Sequence, residues 1–269
     1  MDFAAFLADC RAQWPEFDDP RSLARSTRPA NRRLADYPKQ IRGMATENKL
    51  MLLNLAVAHL APNEVYVEVG CYRGLSLVCA AAGNPHAPIY ACDNFSQFKA
   101  SADLLRRTLA EYTPPGQVQF FDLDFRDFLL NAPWQPARIG VYFYDGGHSF
   151  ADQYEGLKYV LPSLADDALV IIDDTNKRNV RSANRLFAAG VAGFEQVLDL
   201  RTPRNHSPTW WNGIQLYRVR RPGAAATLDG DPLGYRVRRF LWDDIFLRAR
   251  HAWRARRHQL KSRLGRKPT

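Results

Sequence analysis

The sequence predicts an α/β protein built on a doubly wound, mostly parallel sheet of seven strands, with an N-terminal helical cap and a basic C-terminal helix. Three observations predict it. Short apolar runs alternate with helix-forming stretches across the middle of the chain. Several runs end in an acid, the pattern of strands that present ligand-binding groups at one edge of a sheet. Two further runs near the end of this region can pair antiparallel at the sheet edge.

The elements follow in order. Residues 1–42 mix short apolar stretches with Pro15, Pro20, Pro29 and Pro38, which reads as short helices and irregular chain covering the core. Residues 47–60 are strong helix formers closed by Ala61, Pro62 and Asn63. Strands are expected at 65–69, 89–92, 118–121, 139–144 and 168–172, with helices near 75–83, 98–112, 125–131 and 150–163. A helix over 178–189 and strands over 194–200 and 213–219 complete the fold. Pro222, Gly223, Gly230, Pro232 and Gly234 mark a linker. The expected division is therefore a cap at 1–42, a cofactor-binding domain at 43–221, a linker at 222–235 and a basic amphipathic helix at 236–269.

At 269 residues and 46% apolar composition the chain supports one sizeable α/β domain with an appendage. Cys10, Cys71, Cys79 and Cys92 show no zinc-type spacing and read as reduced, buried thiols of a cytoplasmic protein. The first ten residues carry acids where a secretory leader has Lys or Arg, and the longest nearly apolar stretch, 50–62, falls short of a membrane span. The net charge of +9 resides in the tail, where residues 236–269 hold twelve Lys or Arg against Asp243 and Asp244. The body is close to neutral, which argues against a nucleic-acid face.

The most informative stretch is residues 65–76, an apolar run that passes through Glu68 into Gly70 and Gly74 and then into helix-forming sequence. Gly70 allows a tight turn and close approach to a ligand, and Gly74 leaves room for the next helix. The helix start favours an anionic group. Asp93 ends the next run 25 residues after Glu68, near the spacing at which a carboxylate meets a nucleotide ribose. Asp124 and Phe125 end a third run with a carboxylate and an aromatic ring suited to an adenine, although an acidic helix cap would read the same.

A second constellation lies further on. Asp145 closes the fourth strand, His148 follows three residues later, and Asp173 and Asp174 close the fifth. Crowded carboxylates need a cation or proton, and oxygen ligands suit Mg²⁺. Such an ion could lower the pKa of a substrate hydroxyl, with His148 taking the proton. The bland alternative is that Asp173 caps a turn, Asp174 is solvated and His148 bonds a loop.

Taken in order, Val-Glu-Val-Gly-x-x-x-Gly-x-Ser, Ala-Cys-Asp, Asp-Phe-Arg-Asp-Phe, Tyr-Asp-Gly-Gly-His-Ser-Phe and Val-Ile-Ile-Asp-Asp resemble the class I S-adenosylmethionine-dependent methyltransferases. The sequence is most similar to the small-molecule O-methyltransferase branch that includes macrocin-type sugar methyltransferases and, more distantly, catechol O-methyltransferase. The likeness spans roughly residues 43–220. It implies S-adenosylmethionine as cofactor, with Glu68, Gly70 and Gly74 around its methionine part and Asp93 at its ribose; Cys71, Tyr72, Ser76, Asn94, Asp124, Phe125 and Asp145 are the further residues expected to bind the cofactor. It implies a divalent metal, Mg²⁺, at Asp145, Asp173 and Asp174, and His148 as catalytic base beside Asp145. One departure is Gly147, where the branch more often has a second acid.

The expected activity is O-methylation of a small molecule, glycan or glycolipid. Tyr72, Trp210, Trp211 and His206 are candidates to line the acceptor pocket, with edge packing as the alternative for the two tryptophans. The tail has apolar residues at helical spacing among arginines, which suits an anionic membrane surface or a polyanionic acceptor; a solvated or oligomer-packing helix fits equally. Three competing classes are a nucleic-acid methyltransferase using the tail, a nicotinamide dehydrogenase, for which the Gly-x-Gly-x-x-Gly pattern is missing, and a noncatalytic scaffold.

Overall fold

The computed structural model describes residues 1–220 and 232–247. The chain begins with α1 (Phe3–Gln13), α2 (Pro20–Leu23), α3 (Tyr37–Gln40) and α4 (Glu47–Ala58). It then alternates through β1 (Glu64–Val69), α5 (Leu75–Ala81), β2 (Ile89–Cys92), α6 (Ala102–Tyr112), β3 (Val118–Phe121), α7 (Phe125–Asn131), β4 (Arg138–Tyr144), α8 (Phe150–Val160) and β5 (Leu164–Asp173). Next come α9 (Arg178–Gly190), β6 (Phe194–Leu200), β7 (Ile214–Arg220) and α10 (Leu233–Arg239), which runs into a π-helical turn, Phe240–Leu247.

The seven strands lie in the order β3-β2-β1-β4-β5-β7-β6. The first five are parallel, and β7 runs antiparallel between β5 and β6. The expected antiparallel pair is present, with the last strand inserted inside the edge. The strand order reverses at β1, so the ends of β1 and β4 part there, and that is where open α/β sheets bind ligands. Two backbone bonds extend the ladder past the strands at this point, Gly70 N–H to the Cys92 carbonyl at 2.9 Å and Asp145 N–H to the Val69 carbonyl at 2.8 Å.

Side chains alternate across the sheet, so β1 sends Val65, Val67 and Val69 to one core and Tyr66 to the other. The N-terminal segment is a structural part of that second core. Phe6, Cys10 and Trp14 of α1 are buried beside α4, and the Trp14 indole donates to Asn48 Oδ1 at 2.9 Å. Helix α4 is buried from Asn48 to Val57, which accounts for its apolar residues on every face. All four cysteines are buried and free.

The linker expected at 222–235 needs correction at its end. Helix α10 begins at Leu233, and Tyr235 is buried with its ring 4.5 Å from that of Tyr154 and its hydroxyl donating to Glu155 at 2.7 Å. Asp243 accepts from the Phe150 and Ala151 N–H groups at 2.9 Å each and so caps α8. The start of the tail is therefore docked on the domain. The remainder of the linker, 221–231, and the tail from 248 onward lie outside the described residues. Among the described residues no helix is long and apolar enough to cross a membrane.

Candidate active site

A cavity of about 440 Å³ opens at the carboxyl ends of β1, β2, β4 and β5. That size falls within the range of small-molecule sites, roughly 300–1,000 Å³. One wall carries Gly70, Tyr72, Asp93, Asn94, Phe95, Asp124 and Phe125, and the other Asp145, His148, Asp173, Asp174, Lys177 and Trp211. Backbone strain concentrates here. Of the seven non-glycine residues with positive φ among the described residues, five line the cavity: Tyr72, Phe95, Asp174, His206 and Trp211. Such conformations persist only where surrounding structure holds them, and they gather at functional sites.

The first wall is built on the turn after β1. A Cβ at Gly70 would collide with the Asp145 backbone carbonyl, and φ there is +86°, so glycine is required for the close passage of two chains. Asp93 braces that turn. Its Oδ2 accepts from the Cys71 and Tyr72 N–H groups at 3.0 and 2.8 Å, and its Oδ1 from Phe95 N–H at 2.8 Å. Three of its roughly four lone-pair positions are thereby used, leaving one toward the cavity. Asp124 caps α7 by accepting from Arg126 N–H at 2.9 Å. Phe125 is held edge-on to Tyr144 at 5.7 Å, with the Arg126 guanidinium 4.3 Å above its ring. Carboxylate, amide and aromatic groups on one concave wall fit a nucleoside.

Four residues expected at the cofactor lie elsewhere. Glu68 is fully buried on the α5 face of the sheet, accepting from the Tyr66 hydroxyl at 2.6 Å and the Ser76 hydroxyl at 2.5 Å. Burial pushes its carboxyl up to about 8, against the pull of those two hydroxyls. Ser76 is occupied by Glu68, and Cys71 turns its thiol into the core, toward the Cys92 carbonyl. Gly74 starts α5 with φ +86°, and Leu105 of α6 fills the space beside it. These four shape the turn from behind and do not line the cavity.

On the other wall, Asp173 and Asp174 diverge although adjacent. Asp173 ends β5 and stays in the ladder, where it pairs with the Lys49 ammonium of α4; the two side chains are only 4% and 1% exposed. Asp174 takes φ +56°, which turns its carboxylate toward the cavity. There Oδ1 accepts from Asn212 Nδ2 at 2.6 Å and Oδ2 from Lys177 Nζ at 2.5 Å. The crowding that suggested a cation is relieved in part by these two lysines. Asp173 thus leaves the expected metal set, and His148 enters it: Asp145, His148 and Asp174 offer one donor atom each, all within 4.8 Å of one another.

His148 Nε2 lies 2.8 Å from Asp174 Oδ2 and 3.8 Å from Asp145 Oδ1. The nearer contact is poorly directed, so this buried nitrogen makes no geometrically sound hydrogen bond. Burial lowers the imidazole's pKa, but the Asp145 and Asp174 carboxylates outweigh it and raise it to about 9. Two carboxylates that share one imidazolium make a site where a divalent ion could take the place of that charge. Lys177 now holds the Oδ2 position that such an ion would take. Gly147 has its own explanation, because a side chain there would run into the Asp152 carboxylate, which Arg126 holds at 2.6 Å. Asp152 belongs to the first turn of α8.

Tyr72, Trp211 and His206, the candidates for an acceptor pocket, line the cavity, with His206 edge-on to Trp211 at 4.9 Å. Trp210 does not. It is fully buried, 5.3 Å from Trp14, and its indole donates to the Leu23 carbonyl at 2.8 Å. The sequence reading also omitted Lys49, Phe95, Lys177 and Asn212. Lys177 has a local signal, three residues after Asp174; Lys49 has none, because its partner lies 124 residues away.

Residues 67–175 match the model of a methyltransferase-domain family. Over these residues the chain is similar to a methyltransferase domain. The matched segment runs from β1 to just past Asp174 and so contains most of both cavity walls. Solved structures agree on the fold. The O-methyltransferase TomG of Streptomyces achromogenes, in complex with SAM, superposes with a TM-score of 0.53 at 19% identity, over 76% of this chain and 91% of that one. An O-methyltransferase of Bacillus cereus in complex with SAH gives 0.54 at 12% identity, over 75% and 96%. No curated protein matches the sequence significantly.

Proposed function

We propose that the methyltransferase moves a methyl group from S-adenosylmethionine to a hydroxyl of a small molecule or glycan, with a divalent ion assisting. The observation that carries this reading is the convergence of Asp145, His148 and Asp174 opposite a nucleoside-type wall in one cavity. S-adenosylmethionine supplies an activated methyl group on a sulfonium sulfur. Tyr72, Asp93, Asn94, Asp124 and Phe125 are the residues to hold it. Mg²⁺ held by Asp145 and Asp174, with His148 left free of it, would neutralise their charge and polarise a bound hydroxyl.

The residues then divide the work. With the carboxylates neutralised by such an ion, the influence that keeps His148 protonated would be withdrawn, leaving Nε2 to accept the acceptor's proton. The acceptor oxygen bonds to the methyl carbon as the carbon–sulfur bond opens, so alignment is the main demand. The Lys177 ammonium beside Asp174 would offer its charge to the oxygen as it loses its proton. Phe95, Phe125 and Trp211 line the cavity and exclude water from it.

Two measurements test this. Mass spectrometry of products from a screen of polyols, catechols and glycans is expected to find a methyl group on oxygen; methylation at nitrogen or carbon contradicts the reading. Calorimetric titration with Mg²⁺ is expected to show binding that tightens in Lys177→Met and disappears in Asp145→Asn/Asp174→Asn. Undiminished binding in the double variant removes the metal from this site.

A further inference from the structure

A second, more open concavity adjoins the methyl-transfer cavity and shares Asn205 with it. Its lining includes Arg21, Arg25, Arg201 and Arg204 and no acid. All four arginines are exposed, and none of their guanidiniums has an ion-pair or hydrogen-bond partner among the described residues. Other arginines in the structure behave differently: Arg11, Arg32, Arg126, Arg181, Arg218 and Arg220 each take a carboxylate.

The shelf is braced from behind. Arg21 and Arg25 sit on and just after α2, while Arg201 and Arg204 follow β6, whose carboxyl end faces the same side of the sheet as the active site. The Trp210 indole joins the two supports through the Leu23 carbonyl. Asn48 Nδ2 reaches the Ser26 carbonyl at 2.7 Å and the Thr209 carbonyl at 3.1 Å. Asn176 bonds Thr202 and Asn205 in the wall between the cavities, at 2.8 and 3.1 Å. The backbone is fixed while the guanidiniums remain free to converge on a ligand.

We propose that this shelf binds a phosphoryl group of the acceptor, so that the substrate is a phosphate- or pyrophosphate-bearing molecule reaching past Asn205 into the methyl-transfer cavity. Four like charges around one hollow repel one another, and a multiply charged anion relieves that repulsion as a neutral sugar or a single carboxylate cannot. Planar guanidiniums suit phosphoryl oxygens because they donate in pairs. The identity of the group that carries the phosphate rests on the methyl-transfer reading; the anion site itself does not.

The test is calorimetric titration of inorganic pyrophosphate into the full chain at low salt, beside titration of S-adenosylhomocysteine. In Arg25→Glu/Arg204→Glu, pyrophosphate binding is expected to weaken at least about tenfold, with S-adenosylhomocysteine affinity unchanged. Arg21→Ala/Arg201→Ala gives a milder second loss and guards against misfolding of the first variant. Equal pyrophosphate affinity in both variants and the native chain overturns the proposal. So does failure of pyrophosphate to bind while phosphatidylglycerol vesicles are retained through these arginines, since the source is then a lipid surface. Loss of S-adenosylhomocysteine binding in the native chain would instead count against the methyl-transfer reading and leave the anion site standing.

Discussion

Lys49→Ala is expected to lower folding stability by about 3–5 kcal/mol, the range for removing one member of a buried ion pair. Lys49 is 1% exposed and Asp173 is 4% exposed, so the carboxylate left behind has no solvent to turn to. Among the described residues its carboxylate otherwise accepts from the Asp174 N–H, at 2.5 Å. A loss of that size is a large part of the 5–15 kcal/mol typical of a domain. Replacing both members, as Lys49→Met/Asp173→Asn, is expected to recover most of it, because no uncompensated charge remains. The pH dependence follows in sign. Burial raises the Asp173 carboxyl and Lys49 opposes that rise, so without the lysine its folded pKa climbs further above the unfolded value. Such a carboxyl costs stability above the unfolded pKa, increasingly as pH approaches the folded value. The variant should therefore lie closer to the native protein near pH 5 than near pH 8 in urea denaturation. A loss under about 1 kcal/mol at pH 8 would contradict the account of this pair.

His148→Gln is expected to lower kcat by about 10²–10⁴-fold, the usual worth of a positioned general base. S-adenosylhomocysteine affinity should stay the same, because the residues assigned to the nucleoside are on the opposite wall. Glutamine keeps the size and polarity of the site but cannot carry a proton away at neutral pH. Stability should fall somewhat at neutral pH, because Asp145 and Asp174 hold the folded-state imidazole protonated and glutamine cannot carry that charge. Rates within a few-fold of the native enzyme would mean that the proton leaves by another route, with Lys177, 2.5 Å from Asp174 Oδ2, as the next group to vary.

The strands were legible because period and terminal residue type agree. Strands β2 and β3 fall where expected, and β1 and β4 differ by one residue at their starts. Reading the site was harder where it required knowing which way a side chain points. Glu68 precedes the mouth by two residues, and strand alternation sends it with Tyr66 into the core. Asp173 and Asp174 look alike in sequence; a left-handed backbone at Asp174 alone turns one of them outward. Trp210 and Trp211 part in the same way, one into the core and one into the cavity. Lys49 sits in a helix whose composition announces only burial, and nothing local names a partner 124 residues away. The docking of Tyr235 and Asp243 on α8 was likewise hidden, because helical spacing in the tail does not say what the helix rests against.

The central claim is that the cavity at the ends of β1 and β4 is a nucleoside-cofactor site beside an acid and imidazole cluster. The most direct measurement is calorimetric titration of S-adenosylhomocysteine into the native chain and into Phe125→Ala, whose ring lines the cavity. One equivalent is expected to bind the native chain, with clearly weaker binding in the variant. Absence of binding heat in the native chain, or equal affinity in the two, would contradict it.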